Sequence, residues 1–190
     1  MNDSPISPAS MLANVVKKTD IHGIWLISGD RQVGKTTWCS LVAHQAQTAG
    51  WRVGGLITPA VFTGGVKIGF DLVDLQSGSR RRFGVSGDIH PDWIKIGNWR
   101  IDPQILAWAN LQLKQCRGCD LLILDELGPL ELKKNQGFLE GMRLLDNQLI
   151  PTAFVVVRPD LIPLAQKRWS QTSVIDIQKE HNDPGKESVD

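Results

Sequence analysis

Apolar residues in this chain recur at two spacings, and the points where one gives way to the other mark out its elements. Runs at 24–27, 51–58, 120–126, 153–157 and 174–177 are strand-sized. Between them, Trp38, Leu41, Val42, Gln45, Ala46 and Ala49 fall on one helical face. Ile105, Leu106, Ala109 and Leu113 trace a second such face, and Phe138, Met142, Leu145 and Leu149 a third. Gly50 closes the first helix as a C-cap, and Pro59 ends the second strand. Asp102 and Pro103 form an N-cap and first-turn pair for a helix that ends around Arg117 and Gly118. Asn135 is placed to start the next helix, Pro151 separates it from a strand, and a short helix is expected over 161–168. This alternation predicts a three-layer α/β fold with a mainly parallel sheet and right-handed crossovers.

One stretch departs from the alternation. Gly64 and Gly65 turn the chain, 66–75 extends, Ser77 and Gly78 turn it back, and 80–85 extends again, which predicts an added β-hairpin. Arg80, Arg81 and Arg82 lie on the returning strand, where at most two can share a face. A solvated charged edge and a patch that contacts phosphate or a partner are both compatible with them. Residues 86–101 read as an irregular loop whose Trp93 and Trp99 either pack it to the core or cover a nucleotide base. The ends are polar or rich in turn formers, so 1–20 is expected as a flexible extension with a short helix over 9–17, and 178–190 as a loose tail. That leaves one domain over 21–177.

Composition narrows the class. At 190 residues and 21.0 kDa the chain suits one sizeable core. Lys and Arg number 21 against 20 Asp and Glu, so the net charge of +1 supplies no field to attract nucleic acid or an anionic membrane. No apolar run approaches the length of a membrane span, which predicts a soluble protein. Three cysteines, without a charged start followed by an apolar signal segment, predict a reducing, cytoplasmic setting. Cys116 and Cys119 form a CxxC pair, but His22, His44, His90 and His181 are scattered, so free thiols at a helix end are favoured over zinc.

The chemistry concentrates after the first strand. Gly29, Gly34, Lys35 and Thr36 complete the pattern of a glycine, four residues, then Gly-Lys-Ser/Thr, preceded by a strand and followed by a helix. The glycines allow a tight turn that presents N–H groups to phosphate, and the helix adds its positive dipole end. Gly29, Asp30, Arg31, Gln32, Val33, Gly34, Lys35, Thr36 and Thr37 are therefore the expected nucleotide-binding segment. Lys35 is placed to reach the β- and γ-phosphates, and Thr36 to hold magnesium.

The run at 121–124 ends in Asp125 and Glu126, as in a central parallel strand whose carboxyl end faces a ligand crevice. Asp125 at that place supports magnesium, directly or through water. Glu126 either orients and deprotonates the attacking water or is a solvated loop carboxylate. Gly128 and Pro129 are expected to redirect the chain, and Glu131 to be structural or solvent-facing.

Together with GGLITPA at 54–60, GFDLVDL at 69–75, GNWRID at 97–102 and LLILDELGPLEL at 121–132, the loop at 29–37 resembles the THEP1-type nucleoside-triphosphatases, a phosphate-loop NTPase family. The resemblance covers 22 to about 177. It implies magnesium-dependent hydrolysis of ATP, GTP and other nucleoside triphosphates, with modest base selectivity. It also implies that Lys35 is the loop lysine, Thr36 and Asp125 the metal ligands, Glu126 the catalytic carboxylate, and Arg158 a nucleotide-contacting arginine. The chain departs from the family at Asp30, Arg31 and Gln32, where a proline and glycine are common, and at Trp99, where tyrosine is frequent.

Two other functions fit the same loop. A nucleotide or small-molecule kinase would use Arg80, Arg81, Arg82 or Arg143 to hold an acceptor, while a nucleotide-gated binding module would turn over little. No Asn/Thr-Lys-x-Asp signature is present, so the base is unspecified, and no residue pattern points to a protein partner.

Overall fold

Consecutive residues of Leu121–Leu124 are all buried, yet they go to two different cores: Leu122 and Leu124 to one, Leu121 and Ile123 to the other. A continuous apolar run is what a strand covered on both faces requires. The computed structural model describes residues 11, 13, 21–87 and 90–177. The extension over 1–20 and the tail over 178–190 therefore lie outside the described residues, apart from Met11 and Ala13, which are helical.

In chain order, β1 (Gly23–Ser28) runs into α1 (Lys35–Thr48), then β2 (Val53–Ile57). Next come β3 (Ala60–Thr63), β4 (Val66–Asp74), β5 (Arg80–Ser86), β6 (Ile94–Ile96) and β7 (Trp99–Ile101). The chain continues through α2 (Pro103–Gln115), β8 (Leu121–Leu124), α3 (Pro129–Lys134), α4 (Leu139–Asp146) and β9 (Thr152–Val156). It ends in a 3-10 turn (Pro159–Leu161), α5 (Ile162–Arg168) and β10 (Thr172–Asp176).

The strands form one sheet in the order β10-β1-β9-β8-β2-β4-β5-β7-β6, with β3 paired to β4. From β10 to β2 every pairing is parallel. From β2 outward every pairing is antiparallel. The expected hairpin is present as β4 and β5, but the sheet is mixed and not mainly parallel. The cause lies in residues 60–101: β3 and the β6–β7 hairpin add strands where the sequence suggested a turn and an irregular loop.

Helices cover both faces, giving three layers. Trp38, Cys39, Val42, Ala43 and Ala46 of α1 pack with Ile27, Ile123, Phe154 and Val156. On the other face, Ala109 and Leu113 of α2, Met142 and Leu145 of α4, and Ala165 of α5 pack with Leu26, Leu56, Leu124 and Val155. Asp102 caps α2 as expected, accepting from Gln104 N at 2.8 Å and Ile105 N at 3.4 Å.

The stretch after the acidic pair differs from expectation. Pro129 opens the helix α3, Asn135 ends it in a left-handed conformation, and the following helix starts at Leu139. Proline at the first helical position costs no hydrogen bond, so the pair Gly128-Pro129 starts a helix as readily as it redirects a loop. Glu131 is buried and structural: Oε2 accepts from Gly128 N at 2.9 Å and Oε1 from Phe138 N at 3.1 Å, tying both ends of α3.

Cys39, Cys116 and Cys119 are free and buried. Gly54 makes room for the CxxC pair, since a Cβ there would stand 2.7 Å from Cys119 Sγ and 2.8 Å from Cys116 Sγ. Among the described residues no group of three or more His, Cys, Asp or Glu is arranged to hold a metal, and no helix is long and apolar enough to cross a membrane.

Candidate active site

Because β1, β2, β8, β9 and β10 are mutually parallel, their carboxyl ends share one edge of the sheet, where ligands bind in open α/β sheets. The loop at 29–34 leaves β1, Thr58 leaves β2, Asp125 and Glu126 leave β8, and Arg158 leaves β9. The ladders continue one step past the strand ends: Asp125 N donates to Leu56 O at 3.1 Å, Val157 N to Ile27 O at 3.0 Å, and Ile177 N to Ser28 O at 2.8 Å. The site is thus built on extended, hydrogen-bonded backbone.

The loop has the geometry its glycines allow. Gly29 has φ +134°, and a Cβ on it would meet Ile177 O. Gln32 is also left-handed at φ 64°, Val33 packs against the core on the α1 side, and Gly34, at φ 98°, is the N-cap of α1. Lys35 Nζ donates to Gly29 O at 2.7 Å and Asp30 O at 2.6 Å, so the ammonium closes the loop on itself. Thr37, in the first turn of α1, is exposed. No acidic residue belongs to that first turn, and the carboxylate that meets it is Asp125.

Asp125 is 3% exposed. Burial pushes its carboxyl above the ordinary value, opposed by hydrogen bonds from Thr58 N–H, the Thr36 hydroxyl and the Thr58 hydroxyl, and by the Lys35 charge. Its Oδ2 accepts from Thr58 N at 3.0 Å and Thr58 Oγ1 at 3.1 Å. Thr36 and Asp125 converge as hard oxygen donors, the type of pair that suits magnesium when phosphate and water complete its shell. A site of this kind needs no third carboxylate.

Glu126 follows across a cis peptide bond and is partly exposed, with Arg158 Nε 3.0 Å from its Oε1. Burial raises the Glu126 carboxyl above the ordinary value, and the guanidinium counters this in part. The Arg158 Nε–H is buried against the Glu126 carboxylate, at an angle that makes the contact an ion pair more than an aligned hydrogen bond. Arg158 also lines a crevice of about 310 Å³ with Gly29, Asp30, Arg31, Pro159 and Asp160. A guanidinium lining a crevice beside the loop at 29–31 suits an anionic, phosphate-bearing ligand.

The structure therefore brings Gly29, Asp30, Arg31, Lys35, Thr36, Asp125, Glu126 and Arg158 to one edge. It keeps Arg80, Arg81 and Arg82 for other work. Arg80 Nε and Arg82 Nε hold Asp71 at 2.7 and 2.6 Å, and Arg81 stacks over Trp108 at 4.6 Å. Trp99 packs edge-on to Phe70 at 5.4 Å, and Trp93 stacks on His90 at 4.1 Å. Sequence reasoning missed Thr58 and Asp160. Thr58 carried a usable signal, a hydroxyl at a strand end fixed by the proline after it.

Strand order, loop and acidic pair define a phosphate-loop nucleotide-binding α/β domain. The family described as NTPase matches residues 25–189, and the chain belongs to that family. The chain is 30% identical over 159 residues to a protein named nucleoside-triphosphatase THEP1 from Methanopyrus kandleri, covering 83% of this chain and 81% of that one. It is 32% identical over 161 residues to the THEP1 of Methanothermobacter thermautotrophicus, covering 81% and 87%. The fold is similar to the crystal structure of THEP1 from Aquifex aeolicus, with a TM-score of 0.63 at 21% identity over 84% of this chain and 92% of that one. It is also similar to the solution structure of a human cancer-related nucleoside triphosphatase, with a TM-score of 0.62 at 24% identity over 84% and 90%.

Proposed function

We propose that this chain is a magnesium-dependent enzyme that hydrolyses nucleoside triphosphates to the diphosphate and phosphate. Membership of the NTPase family supports the hydrolase reading. The observation that carries the mechanism is the meeting of the loop at 29–34, Asp125 and the Glu126–Arg158 pair at one sheet edge.

The loop amides and the α1 N-terminus hold the phosphates, and Lys35 exchanges its loop carbonyls for phosphate oxygens. Thr36 and Asp125 would hold magnesium, which when bound would neutralise phosphate charge. Glu126 takes the proton of the attacking water, and its raised proton affinity makes it a stronger base than an ordinary glutamate. Arg158, which lines the crevice beside the loop, contacts the terminal phosphate.

The kinase reading loses its candidate acceptor residues, since Arg80 and Arg82 are engaged by Asp71, Arg81 by Trp108, and Arg143 by Glu140 at 2.8 Å. Three free thiols fit a reducing compartment such as the cytoplasm. The test is a phosphate-release screen of the purified protein against ATP, GTP, CTP and UTP, first with magnesium and then with chelator. Release without any added acceptor, abolished by chelator, is expected; diphosphate formation only with an acceptor would favour a kinase.

A further inference from the structure

We infer that Thr58 is the positioning residue for the Asp125 carboxylate, holding one oxygen so that the other faces the metal position. This rests on the magnesium reading of Asp125 given above. Thr58 makes three contacts with one residue: its N–H donates to Asp125 Oδ2 at 3.0 Å, and its hydroxyl faces Asp125 O at 2.9 Å and Oδ2 at 3.1 Å. The hydroxyl has one proton, so those two oxygens share it.

The arrangement follows from the strands. Asp125 N donates to Leu56 O, the last rung between β2 and β8, and the next donor on the β2 side is Thr58 N. Where a main-chain carbonyl would continue the ladder, the Asp125 side chain takes its place. Pro59 disfavours helical geometry at Thr58 and keeps it extended, with its N–H directed at β8. The N–H is spent on Oδ2, and the hydroxyl is shared between Oδ2 and the Asp125 main-chain oxygen. Oδ1 receives nothing from Thr58, and the Thr36 hydroxyl bonds the same carboxylate from the α1 side. Such outer partners fix the rotamer of a metal-binding carboxylate, and their loss usually lowers metal affinity about 10–100-fold.

The experiment compares wild type, Thr58→Val and Thr58→Ser by equilibrium binding of a non-hydrolysable ATP analogue, with magnesium and with chelator. Valine keeps the shape and the N–H but removes the hydroxyl; serine keeps the hydroxyl. Thr58→Val should lose about tenfold of the affinity that magnesium adds, with metal-free affinity unchanged, and Thr58→Ser should recover most of it. A Thr58→Val protein with the wild-type magnesium-dependent gain would overturn the inference while leaving the magnesium reading intact. Equal losses in Thr58→Val and Thr58→Ser, or equal losses with metal and with chelator, would also overturn it and assign Thr58 a structural role. A wild-type protein whose affinity does not respond to magnesium would overturn both.

Discussion

Arg158 Nε stands 3.0 Å from Glu126 Oε1, placing the cation from the end of β9 against the carboxylate from the end of β8. Each restrains the other: the guanidinium limits how far burial raises Glu126, and the carboxylate holds the side chain beside the crevice. Arg158→Ala should lower turnover by about 10–100-fold and weaken triphosphate binding more than diphosphate binding. Competition binding with ATP and ADP measures the difference. Equal weakening of both would remove Arg158 from the terminal phosphate.

Lys35 folds onto Gly29 O and Asp30 O, so it is already positioned at the loop. Lys35→Ala should remove a charge-assisted phosphate contact and reduce triphosphate binding or turnover by about 100-fold or more. Calorimetric titration with the triphosphate, beside a circular-dichroism control of folding, checks this.

Asp71 is 8% exposed and lies between the guanidinium groups of Arg80 and Arg82. Burial pushes its carboxyl up, and the two charge-assisted hydrogen bonds outweigh burial and bring it below its ordinary value. A depressed folded-state value contributes stability above the unfolded-state value and loses it as pH falls through the folded one. Asp71→Asn should therefore cost about 1 kcal/mol near pH 7, a modest figure because both arginines are substantially exposed. The gap between the two proteins should close below about pH 4, which urea melts across pH will show.

Gly54 packs directly under the sulfurs of Cys116 and Cys119. Gly54→Ala should destabilise the fold by about 1–3 kcal/mol through overpacking, and thermal denaturation measures it. Adding Cys119→Ala should recover part of the loss by freeing the space.

Much of the parallel half of the sheet was legible because its strands are buried on both faces, and a run such as Leu121–Leu124 needs no partner information to be recognised. The antiparallel half was less so. β6 and β7 are three residues each, bounded by polar and glycine-rich turns, and their identity comes from pairing with each other and with β5. The β6–β7 hairpin is local but its strands are too short to show a period, and its place in the sheet is set by the longer-range pairing of β7 with β5.

The site divides in the same way. The loop and the acidic pair are local patterns with fixed spacing, and they leave the carboxyl ends of the parallel strands β1 and β8 on one sheet edge. Thr58 is separated by 67 residues from the carboxylate it holds, and only the β2–β8 register joins them. For Arg80, Arg81 and Arg82 the sequence is compatible with a charged edge and with a phosphate or partner patch, and their contacts to Asp71 and Trp108 depend on strand pairing and packing that no local pattern carries.

Glu126→Gln keeps length and shape but removes the basic carboxylate, and so tests the hydrolytic role of Glu126 most directly. Single-turnover phosphate release and equilibrium binding of the same triphosphate, measured on wild type and variant, separate chemistry from affinity. Release should slow by about 100-fold or more while affinity changes by less than about tenfold. Equal release rates in the two proteins would contradict the account and return Glu126 to the role of a loop carboxylate paired with Arg158.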